Sequence, residues 1–447
     1  MFIPRAHVIG LGKSGQAAAR LLLNRGWNVV GSDNARSFEP PDIFRELIEA
    51  GAEIFVDGHH RAVNREYDLA IISPGISLDL EVAQETLRRG IPIISELELG
   101  WRNSKGKFAA VTGSNGKTTT TEMIGTIFKQ TGKPVFVCGN VGLPICEIAS
   151  QTTPESLISV EVSSFQLETI KFFRPDVSIV LNITPDHLDR HKSLENYALA
   201  KSRIWLNQTD KDWVVYFADD DHLSHLIKTA KAKKFAFSLQ GEVPEGAFLE
   251  ENIMAVRHPD GGEFCIDRSE LHIPGQHNVA NALAAMSACY LMGVEPDRII
   301  NGIRAFKGVP HRLEAIRELC GVLWINDSKA TNVDAGLSAL SAMDRPLIWI
   351  AGGRAKGGDF KAMRNGNLKQ VKRLILIGEA AQAIERDLTG VAPIVQANDL
   401  EEAVKLAVEY AETGDAVLLS PLCASFDMFK NFEHRGETFR RLVEELE

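Results

Sequence analysis

Residues 112–120 read Thr-Gly-Ser-Asn-Gly-Lys-Thr-Thr-Thr. Two glycines, a lysine and adjacent hydroxyls are the groups that gripping a polyphosphate requires. Successive backbone N–H groups can wrap the phosphate oxygens, Lys117 can neutralise the β and γ oxygens, and the Thr118 hydroxyl can bind Mg2+. Gly113, Ser114, Asn115, Gly116, Lys117, Thr118 and Thr119 are therefore candidate nucleotide contacts. The loop is short, with two residues rather than the usual four between Gly113 and Gly116. An apolar run at 108–111 precedes it and a helical pattern follows, which is the context a phosphate loop needs. ATP is the expected nucleotide.

Two acid–base residues downstream fit the same place. Glu161 ends the apolar run 157–162, and His187 follows the run 177–183 in Asn182-Ile-Thr-Pro-Asp-His187-Leu-Asp189. In parallel α/β sheets ligands bind at the carboxyl ends of strands, so both residues are placed to face the phosphate loop. Glu161 offers the hard oxygen that Mg2+ prefers. Without the neighbouring loop, a solvated or structural side chain would be the plainer reading of each. Lys201, in the helical stretch Asn196-Tyr-Ala-Leu-Ala-Lys201-Ser, reads by spacing alone as a solvated charge. Asn278 and Asn281 open another helix, and helix N-capping accounts for Asn278 without a ligand.

A second glycine pattern stands near the N-terminus. Gly10-Leu-Gly12-Lys13-Ser14-Gly15 fits G-x-G-x-x-G between a strand and a helix, and Asp33 ends the next strand. The pattern suits a nucleotide or pyrophosphate at a helix N-terminus. A tight turn that binds nothing is the competing reading. Ser73-Pro-Gly75-Ile follows another buried run and either lines the same crevice or is a simple turn.

The elements that must position these residues are legible as alternation. Strand-like runs at 6–9, 28–31, 69–72 and 91–94 alternate with helical patterns, which argues for a parallel sheet with crossover helices. A polar stretch at 101–107 marks a first boundary. Runs at 108–112, 134–138, 157–162 and 177–183 follow, then a segment of short strands and turns from 213 to about 269 and an Ala-rich helix at 278–291. The alternation restarts near Gly308, with runs at 322–326, 347–351, 374–377 and 416–419. The expectation is an α/β protein of three domains: Rossmann-like at 1–98, a P-loop mononucleotide-binding central domain with a parallel sheet at 99–308, and Rossmann-like again at 309–447. The length of 447 residues suits that number at ~150 residues per domain.

Composition narrows the class. Apolar residues make up 45% and charged residues 24%, as in ordinary globular proteins. The net charge of −10 disfavours a general nucleic-acid binder, which needs a basic surface. Six scattered cysteines without C-x-x-C spacing read as reduced thiols. No stretch approaches the ~20 apolar residues of a membrane span, and the N-terminus lacks the features of a signal peptide. A cytoplasmic protein without membrane insertion is expected.

Taken in order, TGSNGKTTT, the Glu161 strand, ITPDHLD, PGQHNVANALAA, PHRLE and NDSKATN resemble the Mur ligase family across essentially the whole chain. The resemblance implies an ATP-dependent ligase of cell-wall precursor synthesis. The N-terminal motifs GLGKSG and SPGIS and the tail LLSPLCASFDMFKNFEHRG narrow it to the branch whose substrates are UDP-N-acetylmuramoyl-L-alanine and D-glutamate. On that resemblance Lys13, Ser14, Asp33, Arg36, Gly75 and His187 meet the UDP-linked substrate, and Asn140 meets its muramoyl-alanine part. Asn281, Arg312 and Asp327 join the loop around ATP. Thr118 and Glu161 hold one Mg2+, while His187 and a carbamylated Lys201 hold a second. Lys117, His187 and Lys201 form the catalytic set. Carbamylation would turn a cationic amine into an anionic oxygen ligand. Lys329, Thr331, Lys356, Ser425, Phe426 and Phe432 match the D-glutamate positions. Phe426 replaces a usual leucine, and Arg354 stands where an acidic residue is more usual before Lys356. A monomer is expected.

Three alternatives compete with this expectation. A sister ligase of the same family would add a different amino acid. A nicotinamide-dependent dehydrogenase would use the first glycine motif but leave the second loop without a role. A nucleotide-regulated binding module would not turn over.

Overall fold

The computed structural model describes residues 3–34, 41–273, 275–355, 359–366 and 368–446. Arg36 and Lys356 lie outside the described residues. The chain forms two compact units, Met1–Phe306 and Lys307–Glu447.

The first unit holds two sheets. The N-terminal one contains β1 (Arg5–Ile9), β2 (Asn28–Ser32), β3 (Glu53–Phe55), β4 (Leu69–Ile72) and β5 (Ile93–Ser95) in the order β3-β2-β1-β4-β5. Every pairing is parallel, as the helix-separated apolar runs require. This is the doubly wound order, with its switch point between β1 and β4. Gly12 caps the helix Lys13–Asn24 there.

The second sheet comprises β6 (Lys107–Thr112), β7 (Val135–Gly139), β8 (Leu157–Glu161), β9 (Val177–Val180), β10 (Trp213–Phe217), β11 (Lys233–Ser238), β12 (Gly246–Glu250), β13 (Ile253–Arg257) and β14 (Glu263–Asp267). Their order is β14-β13-β12-β11-β10-β9-β6-β8-β7. Pairing is parallel from β7 through to β12 and antiparallel only at β12–β13 and β13–β14. The short strands and turns after residue 213 thus extend the parallel sheet and end it in a hairpin. The helix Gln276–Leu291 is apolar almost all round, and correspondingly it is buried between the helix Lys117–Lys129 and the strands β9 to β13.

The second unit has one sheet, formed by β15 (Glu314–Leu319), β16 (Val322–Asn326), β17 (Leu347–Gly352), β18 (Val371–Ile377), β19 (Ile394–Gln396) and β20 (Ala416–Leu422). The order is β15-β16-β20-β17-β18-β19, parallel except for the edge strand β15. Apolar clusters cover both faces, so β17 and β20 are buried at every residue.

The polar stretch 101–107 lies in sequence between the last strand of the first sheet and the first strand of the second. The helix Glu96–Asn103 runs into it and packs both ways, Leu97 into the core of the central sheet and Leu99 into that of the N-terminal sheet. Two buried carboxylates bolt it down. Glu98 accepts the backbone N–H groups of Lys171, Phe172 and Phe173. Glu96 accepts the Cys146 N–H at 2.7 Å, while its Oε2 is buried without a hydrogen-bond partner.

Burial pushes the Glu96 carboxyl up to about 7, against the opposing pull of the hydrogen bond from the Cys146 amide. The native state therefore holds this proton more tightly than the unfolded chain. Its contribution to stability is complete below the unfolded value near 4.5 and is lost as pH rises through about 7. Across that window the wild-type stability should fall, relative to Glu96→Gln, by on the order of 3 kcal/mol. Denaturant melts of both proteins at several pH values measure this, and parallel curves would show that Glu96 does not titrate.

Candidate active site

The phosphate loop leaves the carboxyl end of β6 and opens the helix Lys117–Lys129. Its two glycines are required by backbone geometry. Gly116 has φ +84°, and a Cβ there would sit 2.3 Å from Asn281 Oδ1; Gly113 has φ +150°. The same contact places Asn281 against the loop.

The neighbouring strand β9 supplies a clip. Past its end, the Asn182 carbonyl accepts the Ser114 N–H at 3.0 Å, and Asn182 Oδ1 accepts the Asn115 N–H at 2.8 Å. Ser114 Oγ donates to the Thr184 carbonyl and accepts the Thr184 N–H, each at 2.9 Å. Sequence reasoning placed Asn182 in a motif but gave it no role. A polar amide directly after a buried strand beside a glycine loop was the available signal.

Charged groups converge on this loop. Lys117 Nζ donates to the carbonyls of Gly113 at 2.8 Å and Ser114 at 2.7 Å. Lys201 Nζ donates to the same Gly113 carbonyl at 2.7 Å and lies 4.4 Å from the Tyr197 ring centroid. Lys201 is only 1% exposed, which overturns the solvated-charge reading that its spacing suggested. Burial, and then the nearby Lys117 charge, push its pKa well below the ordinary lysine value, against the pull of Asp186 and Glu161.

Glu161 ends β8, next to β6 in the sheet. Its Oε1 accepts from Asn140 Nδ2 at 2.9 Å, and its buried Oε2 has no hydrogen-bond partner. An unsatisfied buried carboxylate oxygen beside a polyphosphate loop, with the buried Thr118 hydroxyl at the helix start, fits a hard divalent cation. Among the described residues no three His, Cys, Asp or Glu side chains form a ready-made cage.

The segment carrying His187 is tied to the loop through Asn182 and Thr184. The His187 side chain is half exposed and its ring lies 5.0 Å from that of Phe165. Its φ of +52° is unusual for a residue with a side chain.

Asn278 does not cap its helix. Gly275, with φ +96°, takes the cap position, so Asn278 lies inside the first turn and accepts from Asn281 Nδ2 at 3.2 Å.

At the N-terminal sheet the glycine motif is a built turn. A Cβ at Gly15 would lie 1.9 Å from the Gly10 carbonyl oxygen, so helix and strand meet only because glycine is there. Asp33 Oδ2 accepts the Leu11 N–H at 2.6 Å and closes the turn onto β2. Ser73 Oγ donates to the Gly10 carbonyl at 2.7 Å, joining the Gly75 turn to the same place. Lys13 and Ser14 stand at the start of the helix that follows.

The second unit carries the remaining predicted residues. Asp327, buried at the end of β16, accepts from the Leu313 N–H and the Ser420 hydroxyl. Burial raises its pKa to about 7, the nearby Arg312 charge acting the other way. The Lys329 N–H donates to the His311 carbonyl and the Thr331 N–H to the Lys329 carbonyl. Ser425 is buried, Phe426 is 60% exposed, and Phe432 begins the helix Phe432–Glu444. Arg435, which sequence reasoning missed, is fully buried and donates to Ser328 Oγ and to the carbonyls of Ser328 and Cys423. It fixes the backbone beside Lys329 to the backbone leading to Ser425.

Comparison with known proteins matches three consecutive family models. These are described as the Mur ligase MurD-like N-terminal domain, over residues 4–95, the Mur ligase middle domain, over 111–289, and the Mur ligase glutamate ligase domain, over 311–423. The chain is 43% identical to the UDP-N-acetylmuramoylalanine--D-glutamate ligase of Caldanaerobacter subterraneus subsp. tengcongensis over 446 residues, 99% of this chain and 98% of that one. It is 43% identical to the protein of the same name from Acidobacterium capsulatum, over 98% of this chain and 95% of that one. Among solved structures, MurF of Acinetobacter baumannii shares the fold with a TM-score of 0.61 at 19% identity, covering 99% of this chain and 94% of the other.

Proposed function

The chain belongs to the Mur ligase family, and we infer that it is the ATP-dependent ligase joining D-glutamate to UDP-N-acetylmuramoyl-L-alanine in peptidoglycan precursor synthesis. One observation carries the choice within the family. Full-length identity to D-glutamate ligases is 43%, against 22% to the solved UDP-N-acetylmuramate-alanine ligase of Thermotoga maritima, a sister enzyme. The domain division we adopt is 1–98 for the UDP-linked substrate, 99–308 for ATP and 309–447 for the amino acid.

In the reaction, the γ-phosphoryl group of ATP passes to the alanyl carboxylate, giving an acyl phosphate and ADP. The amine of D-glutamate then attacks the acyl carbon, phosphate leaves, and the amine proton is lost to the medium. The phosphate loop supplies backbone N–H groups, and Lys117 a charge, where negative charge accumulates on phosphoryl oxygens. Mg2+ would supply further charge neutralisation, held by Thr118 and Glu161 and at a second place by His187 and Lys201 in carbamylated form. Asn140, which orients Glu161, also faces the muramoyl-alanine part. Asn281, Arg312 and Asp327 hold the nucleotide. Lys13, Ser14, Asp33, Arg36 and Gly75 hold the UDP moiety, and Lys329, Thr331, Lys356, Ser425, Phe426 and Phe432 hold D-glutamate. Among the described residues no helix is long and apolar enough to cross a membrane. We place the enzyme in the cytoplasm as a monomer.

Phosphate release in the presence of UDP-N-acetylmuramoyl-L-alanine, ATP and Mg2+ tests the reading. Release should require D-glutamate and be absent with L-glutamate. Release with a different amino acid only would assign the chain to a sister activity, and release indifferent to any amino acid would remove the ligase reading.

A further inference from the structure

Arg190 touches both the Gly75 turn of the N-terminal sheet and the surroundings of the central site. It lies three residues after His187, in the short helix Leu188–His191, and was not singled out from the sequence. Its Nη1 donates to the Pro74 carbonyl at 3.4 Å and its Nη2 to the Ile76 carbonyl at 3.3 Å. Nη2 also meets Glu168 Oε2 at 2.6 Å, and the guanidinium lies 4.3 Å from the Phe165 ring centroid. Both members of the ion pair are 20% exposed, so water screens them only in part.

Each partner leads to the site by a short path. The turn at residues 73–76 is joined to the first glycine turn through Ser73. Phe165 lies four residues beyond Glu161, on the helix Ser164–Leu167 with its Ser163–Gln166 capping box, and its ring also meets those of His187 and His191. The Arg190 and His191 N–H groups close on the His187 carbonyl, at 3.1 and 3.0 Å, where the backbone holds its strained φ.

We propose that Arg190 is a positioning residue for the reaction, holding the turn that receives the UDP-linked substrate in register with the His187 segment where that substrate's carboxylate must react. This rests on the assignment of the 73–76 turn to the UDP-linked substrate made above. A planar fork that serves two carbonyls and a carboxylate at once cannot be replaced by lysine, which offers one compact charge.

The test is direct binding of UDP-N-acetylmuramoyl-L-alanine by calorimetry, alongside binding of ADP, for wild type, Arg190→Ala, Arg190→Lys and Glu168→Gln. Loss of hydrogen bonds from a charged donor should weaken binding of the UDP-linked substrate about ten-fold or more in Arg190→Ala, with ADP binding unchanged. Arg190→Lys should recover only part of the loss, and Glu168→Gln, which unpins the guanidinium, should weaken the same ligand alone. Unchanged affinity for the UDP-linked substrate in Arg190→Ala, or an equal loss of both ligands, overturns the proposal. Should Arg190→Ala not fold, unchanged affinity in Glu168→Gln overturns it equally. The D-glutamate requirement of the wild type is scored separately, so failure of the activity and failure of the Arg190 role give different results.

Discussion

Lys117→Ala is expected to lower the rate of D-glutamate-dependent phosphate release by about 10²–10³-fold or more, the loss seen when one preorganised charge contact to a transition state is removed. The lysine sits at the first position of the helix Lys117–Lys129, where the helix N-terminus already favours an anion. Its ammonium reaches back over the loop to the Gly113 and Ser114 carbonyls, so the charge is fixed over the place the phosphates would occupy. Because phosphoryl transfer offers the protein little covalent chemistry, a fixed charge accounts for much of what the chain can contribute. The loss should therefore appear in kcat as well as in ATP affinity. The loop itself should survive, since the Asn182 and Thr184 clips do not involve Lys117. An unchanged melting temperature would verify that. Full activity in this variant would show that the loop does not carry the reaction.

The parts of this site that the sequence made legible are those whose residue types are dictated by backbone geometry. Gly113, Gly116, Gly10 and Gly15 could be read because only glycine adopts those dihedrals or permits those approaches, and Glu161 because a strand end fixes where its side chain emerges. The domain architecture was legible for a related reason: buried parallel strands read as continuous apolar runs wherever they occur. Asn278 misled because Gly275, with its positive φ, had taken the cap. Lys201 was illegible from spacing because its helix shows no clear apolar face, so nothing local says which side is buried. Arg190 and Arg435 were missed because their meaning lies in partners 116 and 107 residues away. Long side chains that tie remote backbone together leave no periodic trace.

Lys201→Ala should be nearly inactive, and the pattern of rescue should say why. Two roles fit a buried amine on the Gly113 carbonyl. In the first, Lys201 stays an ammonium and merely holds the loop. In the second, its neutral form adds CO2 to give a carbamate and a released proton, which turns the side chain into an oxygen ligand near Glu161. The environment favours the second: burial and the Lys117 charge depress the pKa, so the neutral, nucleophilic amine is more populated near neutral pH than for an exposed lysine. Lys201→Arg separates the two. Arginine keeps a cation that can reach the Gly113 carbonyl but cannot form a carbamate, so it should be as inactive as alanine, with a loss of about 10² or more if a metal-holding anion is removed. A short carboxylate such as acetate should restore part of the activity of Lys201→Ala, whose smaller side chain leaves room for it, and none of Lys201→Arg. Labelled bicarbonate should give a carbamate carbon signal in the wild type that is lost in both variants. Substantial activity in Lys201→Arg, or an alanine variant indifferent to carboxylates together with no carbamate signal in the wild type, would return Lys201 to the role of a loop anchor.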